Sequence, residues 1–178
     1  MGNRARGFVA FAAGLAILVI ALKALNWLPH AAQKDLMRRY ADFEEMRTET
    51  GIREVLVPTY FPEDFRWPPV GILAQARPYR AVVLEFARRG AGENREVGLV
   101  ICQADSDDFS AGGPLEIIRV RERAPYPLKG REAVLVVGDC SREEPCAGIS
   151  WREKEFRVTI LARSTPFQVI QVAESMLR

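Results

Sequence analysis

The feature that constrains this chain most is an uncharged, apolar run near its N-terminus. The run covers residues 7–22 and follows Arg4 and Arg6, which is the layout of a signal peptide or a signal anchor. As a helix rising about 1.5 Å per residue it would be roughly 24 Å long, and continuation to Leu28 would bring it to about 33 Å, enough to cross a bilayer core. We therefore expect an N-terminal transmembrane helix over residues 1–30.

Cleavage and orientation of this segment are less determined. The small residues near Ala31 would place Pro29 or His30 at the −3 position of a cleavage site, which favours a retained anchor. Basic residues flank the run on both sides, so charge counting does not fix the orientation. The short N-terminal tail favours a single-pass protein of the inner (cytoplasmic) membrane with its main domain in the periplasm or an equivalent extracytoplasmic space.

The rest of the chain has the composition of one globular domain. Apolar residues make up 48% of the sequence and charged residues 27%, and the net charge of +2 gives no electrostatic reason to expect nucleic acid as a partner. The only histidine is His30, which removes most zinc sites and most histidine-based catalysis. We expect no metal and no cofactor.

Residues 31–51 have the spacing of an amphipathic helical linker. Apolar residues recur there at helical intervals, Asp42 and Glu45 resemble a capping box, and Gly51 follows as a helix end. Beyond it, residues 52–178 are expected to form the extracytoplasmic domain, in which short apolar runs alternate with turn residues. These runs predict strands over residues 52–57, 70–74, 80–87, 96–103, 115–120, 133–137, 148–151 and 156–161.

The end of the chain predicts a helix with a clear start. Thr165 is suited to the N-cap, and Pro166 to the first helical position. The predicted fold class is therefore α+β: an N-terminal transmembrane helix, then a small antiparallel sheet flanked by N- and C-terminal helices.

Two of the three cysteines, Cys140 and Cys146, enclose a short loop between predicted strands. A disulfide there would close a hairpin and stabilise the domain by roughly 2 kcal/mol. A redox pair usually has two intervening residues, and a metal site needs more ligands than this chain offers. We expect a structural disulfide, which is typical of an oxidising compartment, and a buried, inert thiol at Cys102.

Residues 58–69 form a proline-rich loop with four aromatic side chains: Tyr60, Phe61, Phe65 and Trp67. Tyr and Trp are enriched at interfaces, so these four residues are the candidate surface for a ligand or a partner. The same rings could instead fold over one edge of the sheet as core. The sequence leaves both interpretations open.

Two charged segments have simple interpretations as well as functional ones. The acidic segment at Asp105, Asp107 and Asp108 lacks the glycine and the terminal glutamate of an EF-hand loop, which favours a solvated loop over a cation site. Three arginines, at positions 119, 121 and 123, alternate along a predicted strand and would share one face. They are expected to form surface ion pairs or to meet an anionic ligand.

Three short stretches carry a resemblance to a known family. They are Val57-Pro58-Thr59-Tyr60-Phe61-Pro62-Glu63, then Gly148-Ile149-Ser150-Trp151, and finally Ala173-Glu174-Ser175-Met176. In this order they resemble extracytoplasmic domains of unknown function found in bacterial anti-sigma-factor-like and sporulation-associated membrane proteins. The resemblance implies an envelope location and a role in sensing or binding, and it carries over no catalytic residue.

The predicted function is therefore a membrane-anchored, extracytoplasmic binding or sensing module of the bacterial envelope, without catalysis. It would contact the membrane through its N-terminal helix and would engage another envelope protein or an apolar ligand. The alternative is a structural accessory subunit of a membrane protein complex. No common catalytic motif is present, although an enzyme that uses two carboxylates alone, such as a glycosidase, stays open.

Overall fold

The dominant element of the fold is one antiparallel sheet, which has eight strands within the described residues. The chain divides into two units, Met1–Leu36 and Met37–Arg178, and the sheet belongs to the second. Of the first unit, Leu18 and Lys23 are described, and both are helical. The structure, a computed structural model, describes Leu18, Lys23 and residues 37–90, 96–107, 109, 113 and 115–177.

The strands are short to medium in length, and all neighbours in the sheet are antiparallel. In chain order they are β1 (Arg38–Tyr40), β2 (Gly71–Gln75), β3 (Ala81–Ala87), β4 (Val97–Ala104), β5 (Arg119–Leu128), β6 (Arg131–Asp139), β7 (Pro145–Glu153) and β8 (Phe156–Ala162). Across the sheet the order is β1-β2-β3-β4-β8-β7-β6-β5. The edge strands are therefore β1 and β5.

Two short helices occur in the described part of the second unit, α1 (Phe43–Thr50) and α2 (Pro166–Ser175). The Asp42 side chain accepts hydrogen bonds from the backbone N–H groups of Glu44 and Glu45, both at 2.8 Å, and Thr165 caps α2. These bonds satisfy N–H groups that the first turn of a helix leaves free. Both predicted N-caps are confirmed.

One face of the sheet, here called the core face, holds the larger hydrophobic core. Because side chains alternate along a strand, every second residue of the central strands points to this face, and both helices cover it. Segment 52–65 adds Ile52 and Phe65 to the same core. Central members of this core are Leu84, Phe86, Leu99, Ile101, Ile149 and Ile160.

The opposite face, here called the cavity face, carries a second apolar cluster. It contains Val83, Val100, Cys102 and Leu115 together with the cysteine pair. The connection between β4 and β5 contributes described residues to this face, at Phe109, Gly113, Leu115, Glu116 and Ile117. Phe109 and Ile117 of the connection pack against the cluster.

The predicted fold class is wrong. The sheet is not small and flanked by helices: it has eight strands and dominates the domain, and the described helices are short. Within the described part of the expected helical linker, residues 38–40 form strand β1, and Tyr40 is buried in the core. A strand followed by a helix, β1 and α1, gives a spacing of apolar residues that resembles the spacing in a single helix.

The predicted strand over residues 52–57 is also absent from the described sheet. A side chain takes the place of a neighbouring strand there: Gln103 Oε1 accepts from the Leu56 N–H at 2.8 Å, and Gln103 Nε2 donates to the Leu56 carbonyl at 2.7 Å. The backbone of Leu56 is therefore paired with an amide side chain rather than with a neighbouring strand.

The predicted transmembrane helix, over residues 1–30, falls outside the described residues except at Leu18 and Lys23. Crossing a bilayer core takes about 20 consecutive, mostly apolar helical residues. In the part of the chain that the structure describes, no helix has the length and apolar character for this. This finding contradicts the predicted signal anchor and the predicted single-pass inner-membrane location. The membrane contact predicted for residues 1–30 stays a prediction.

Candidate functional site

An apolar concavity of about 400 Å³ lies on the cavity face. Strands β4, β6, β7 and β8 form its floor, and the connection between β4 and β5 forms one wall. The ring of Phe109 on this connection is held edge-on against Tyr79, with 5.6 Å between ring centroids. Apolar residues lining the cavity are Val100, Phe109, Leu115, Ile117, Val136 and Leu161.

Two glycines explain why the connection lies so close to the sheet at this point. A Cβ at Gly138 would stand 2.2 Å from the Arg119 carbonyl oxygen and 2.7 Å from Ile117 Cγ2, and one at Gly148 would stand 3.3 Å from Leu161 Cδ1. Contacts below 3 Å are not tolerated, so position 138 admits no side chain without movement. The glycines thus allow Ile117 to approach the floor of the cavity.

The mouth of the cavity is apolar and exposed. Val120 is 51% exposed and Val134 38%, and both line the cavity. Val120 belongs to the edge strand β5, and Val134 to its neighbour β6. Exposed apolar residues scattered singly need no explanation, but a group continuous with a cavity is typical of a binding surface.

The arginines of β5 do not share one face as predicted. A register irregularity between Val120 and Glu122 shifts the alternation. Arg121 forms a two-pronged ion pair with the buried Asp139, with distances of 2.7 and 2.9 Å. Arg123 is paired in register with Val136 and lines the cavity. Neither Arg119 nor Arg123 forms an ion pair or a side-chain hydrogen bond with any residue that the structure describes.

The aromatic loop is divided between core and surface. Phe65 is 1% exposed and belongs to the larger core, and Phe61 packs against it with a centroid distance of 6.1 Å. Trp67 is 53% exposed and stacks on Phe86, and Tyr60 is 41% exposed. Two of the four predicted surface residues are therefore accessible, and they lie away from the cavity lining.

Cys140 and Cys146 form a disulfide with 5.7 Å between their Cα atoms, and both side chains are buried. The bridge closes the loop between β6 and β7, which contains a 3-10 turn at Ser141–Glu143. Its cysteines belong to the apolar cluster of the cavity face. The disulfide therefore braces the same face that carries the cavity.

A buried arginine joins this loop to two strands. Arg163, whose side chain is 6% exposed, contacts Ser141 Oγ at 3.2 Å and Glu144 at 3.3 Å in the disulfide loop, and it pairs with Glu96 just before β4. Its backbone N–H donates to the Gly98 carbonyl at 2.8 Å. Since a buried cation is stable only when it is paired, this network fixes the loop to the sheet.

Cys102 lines the cavity and is 8% exposed. Burial raises the pKa of its thiol to about 12. A thiol protonated at neutral pH is a poor nucleophile, so this side chain contributes apolar surface to the cavity floor rather than chemistry.

The acidic segment is engaged by arginines. The carboxylate of Asp105 accepts from the backbone N–H and from Nε of Arg80, at 2.9 and 3.0 Å. Asp107 accepts from Arg152 at 2.5 Å, and Asp108 lies outside the described residues. Within the described part of the chain, no group of three or more His, Cys, Asp or Glu side chains could hold a metal ion.

A second cavity, of about 640 Å³, lies at the end of α2 beside segment 53–59. It has two carboxylates in its lining, but each is neutralised: Glu153 is bound by Arg131, and Glu54 by Lys154 at 3.1 Å. The first cavity has one described carboxylate in its lining, Glu116. Neither arrangement offers the pair of free carboxylates that a glycosidase requires.

Sequence reasoning missed the residues at the mouth of the cavity. The signal that could have found them is the continuous apolar run over residues 133–137, because a strand apolar on both faces is covered on both faces. Within this run, Val134 and Val136 lie on the cavity face.

Comparison of the chain with protein-family models, with curated proteins and with solved structures found no match. The resemblance to extracytoplasmic domains of bacterial membrane proteins therefore stays a prediction.

Proposed function

We propose that this chain is a non-catalytic binding module of an oxidising compartment, and that its cavity face binds apolar side chains of a protein partner. The single observation that carries the proposal is the cavity of about 400 Å³ with an exposed apolar mouth at Val120 and Val134. Its volume and lining are typical of ligand and partner sites. The buried disulfide supports the compartment.

The shape of the patch favours a protein over a small molecule. An enclosed cavity removes most of a small ligand from water, whereas here the apolar surface continues out of the cavity to Val120 on β5 and Val134 on β6, which are 51% and 38% exposed. Such a surface is buried by an extended partner. A sensing role would then consist of a change in the fraction of cavities that are occupied by the partner.

The experiment uses 8-anilinonaphthalene-1-sulfonate, an apolar fluorescent probe, on the full chain under native conditions. We expect saturable binding that is lost in Val136→Phe, because the larger ring fills the cavity, and that is weakened in Val134→Ser. The control is Phe167→Ser, which removes an equally exposed apolar side chain, 67% exposed on α2. Melting temperature and near-UV circular dichroism of each variant establish that the fold is retained.

Probe binding that is unchanged in both cavity variants, or that is lost equally in Phe167→Ser, would overturn the proposal. Loss confined to the folded cavity variants supports it.

A further inference from the structure

The outer edge of β5 is open. The strand has ten residues and stands last in the sheet order, so no described strand pairs with its outer side. Most of its residues are exposed, and two of them, Val120 and Arg123, line the cavity. An edge strand of this length presents unpaired N–H and C=O groups that another strand can use.

Two prolines remove hydrogen-bond donors from one half of this edge. Pro125 and Pro127 lack an N–H, and within sheets proline takes positions whose nitrogen faces away from the neighbouring strand. The outer edge therefore has no donor at these two positions. The register is regular from Arg123 to Pro125, so by strand alternation the N–H of Arg123 also points outward. The usable part of the edge is Arg119–Ala124.

The unpaired arginines of this open part of β5 favour an acidic occupant. Arg119 and Arg123 have no partner among the described residues, while Arg121 is neutralised by Asp139. Glu122 is paired in register with Val137 and so faces away from the cavity. A second copy of β5 would bring its own arginines close to those of the first, which is unfavourable in the registers that set them directly opposite one another. A carboxylate near Arg123 would instead form a charge-assisted hydrogen bond.

We propose that β5 accepts an extended, acidic segment of a protein partner as a ninth strand of the sheet. An apolar side chain of that segment enters the cavity between Val120 and Val134, and an acidic side chain two residues further along, on the same face, binds Arg123. Backbone hydrogen bonds to the open edge supply affinity, and the alternate side chains supply selectivity. The inference rests on the proposed function and adds the chemistry of the partner.

The test uses blocked seven-residue peptides and the full chain. The first has the sequence Thr-Val-Thr-Glu-Thr-Val-Thr, which places valine and glutamate on one face, and in the second lysine replaces glutamate. Amide chemical shifts report the site and the affinity. We expect the glutamate peptide to shift the amide signals of residues 119–124 and to bind about tenfold more tightly than the lysine peptide.

Arg123→Glu is expected to reverse this preference, and Arg53→Glu is its matched control, since it makes the same charge change at an exposed site away from β5. Reversal in the first variant with no change in the second supports the proposal. Equal binding of both peptides, shifts confined to other strands, or a dimer in sedimentation whose formation depends on β5 would overturn it. Probe binding in the cavity without peptide binding would refute the ninth strand on β5 and leave the proposed function intact.

Discussion

The disulfide and the buried Arg163 are expected to depend on each other, and this coupling can be measured. Arg163 contacts Ser141 and Glu144, and both lie in the loop that Cys140 and Cys146 close. Without the bridge the loop gains conformational freedom, and its two acceptors must be ordered again before they meet the guanidinium. The perturbations are the double substitution of both cysteines by alanine, Arg163→Met, and their combination.

The magnitudes follow from the structure. For a loop closed over a sequence separation of 6, the chain-entropy model gives about 2 kcal/mol. Removing one partner of a fully buried ion pair costs about 3 to 5 kcal/mol. Glu96 and Glu144 are each 36% exposed, so water can solvate them, and we expect about 2 kcal/mol for Arg163→Met. Contacting groups typically couple by about 1 kcal/mol, so the combined variant should lose about 3 rather than 4 kcal/mol.

The assay is urea unfolding followed by circular dichroism at one pH and temperature, with equal slopes required across the variants. Arg131→Met is the control, because Arg131 pairs with Glu153 and touches no residue of the disulfide loop. Its effect should add to that of the cysteine substitutions. If the Arg163 and cysteine effects also add to within about 0.4 kcal/mol, the loop does not hold the arginine and the reasoning is refuted.

Two further predictions concern the cavity face. Gly138→Ala should destabilise the domain by about 1 to 3 kcal/mol, because its Cβ would stand 2.2 Å from the Arg119 carbonyl oxygen. The control is Gly113→Ala, which should change the melting temperature little because nothing lies within 4 Å of its Cβ. Equal effects of the two substitutions would contradict the packing argument. Burial raises the pKa of the Cys102 thiol from 9.0 to about 12, so above pH 9 the unfolded state loses this proton before the folded state does. The free energy of unfolding should therefore fall with rising pH by about 1.4 kcal/mol per pH unit relative to the Cys102→Ala variant. The same pH dependence in both proteins would rule this out.

Alternation of apolar residues was sufficient to predict most strands, because burial against one face imposes a period of two. It failed for β5, where the predicted strand stopped at residue 120 and the observed one runs to Leu128. Two prolines and several charges argue against a strand in the middle of a sheet. At an edge, the outward side needs no donor, so Pro125 and Pro127 are compatible with it.

The candidate site was harder to foresee, because it depends on which strands become neighbours. Val100 and Val136 are far apart in the sequence and share the cavity only because β4 pairs with β8 and β7 lies between β8 and β6. The composition of the aromatic loop suggested a binding surface, yet the ring of Phe65 belongs to the core. Local patterns predict elements, whereas a site formed across four strands requires the topology.

The strand order also has a consequence for how the domain assembles. Strands β2–β4 and β5–β8 follow one another as hairpins, whereas β1 reaches β2 through a long connection that contains α1. The two halves of the sheet are joined through the single ladder between β4 and β8, which pairs Ala104 with Arg157 and Leu99 with Ala162. Hairpin contacts are local and form early, whereas this ladder closes a long loop and is slow to form. Because the cavity takes Val100 from one half and Val136 from the other, it is complete only when this ladder has formed. A chain with both halves folded but not yet joined would display two half-sheets and no cavity, so partner binding would select the fully assembled domain.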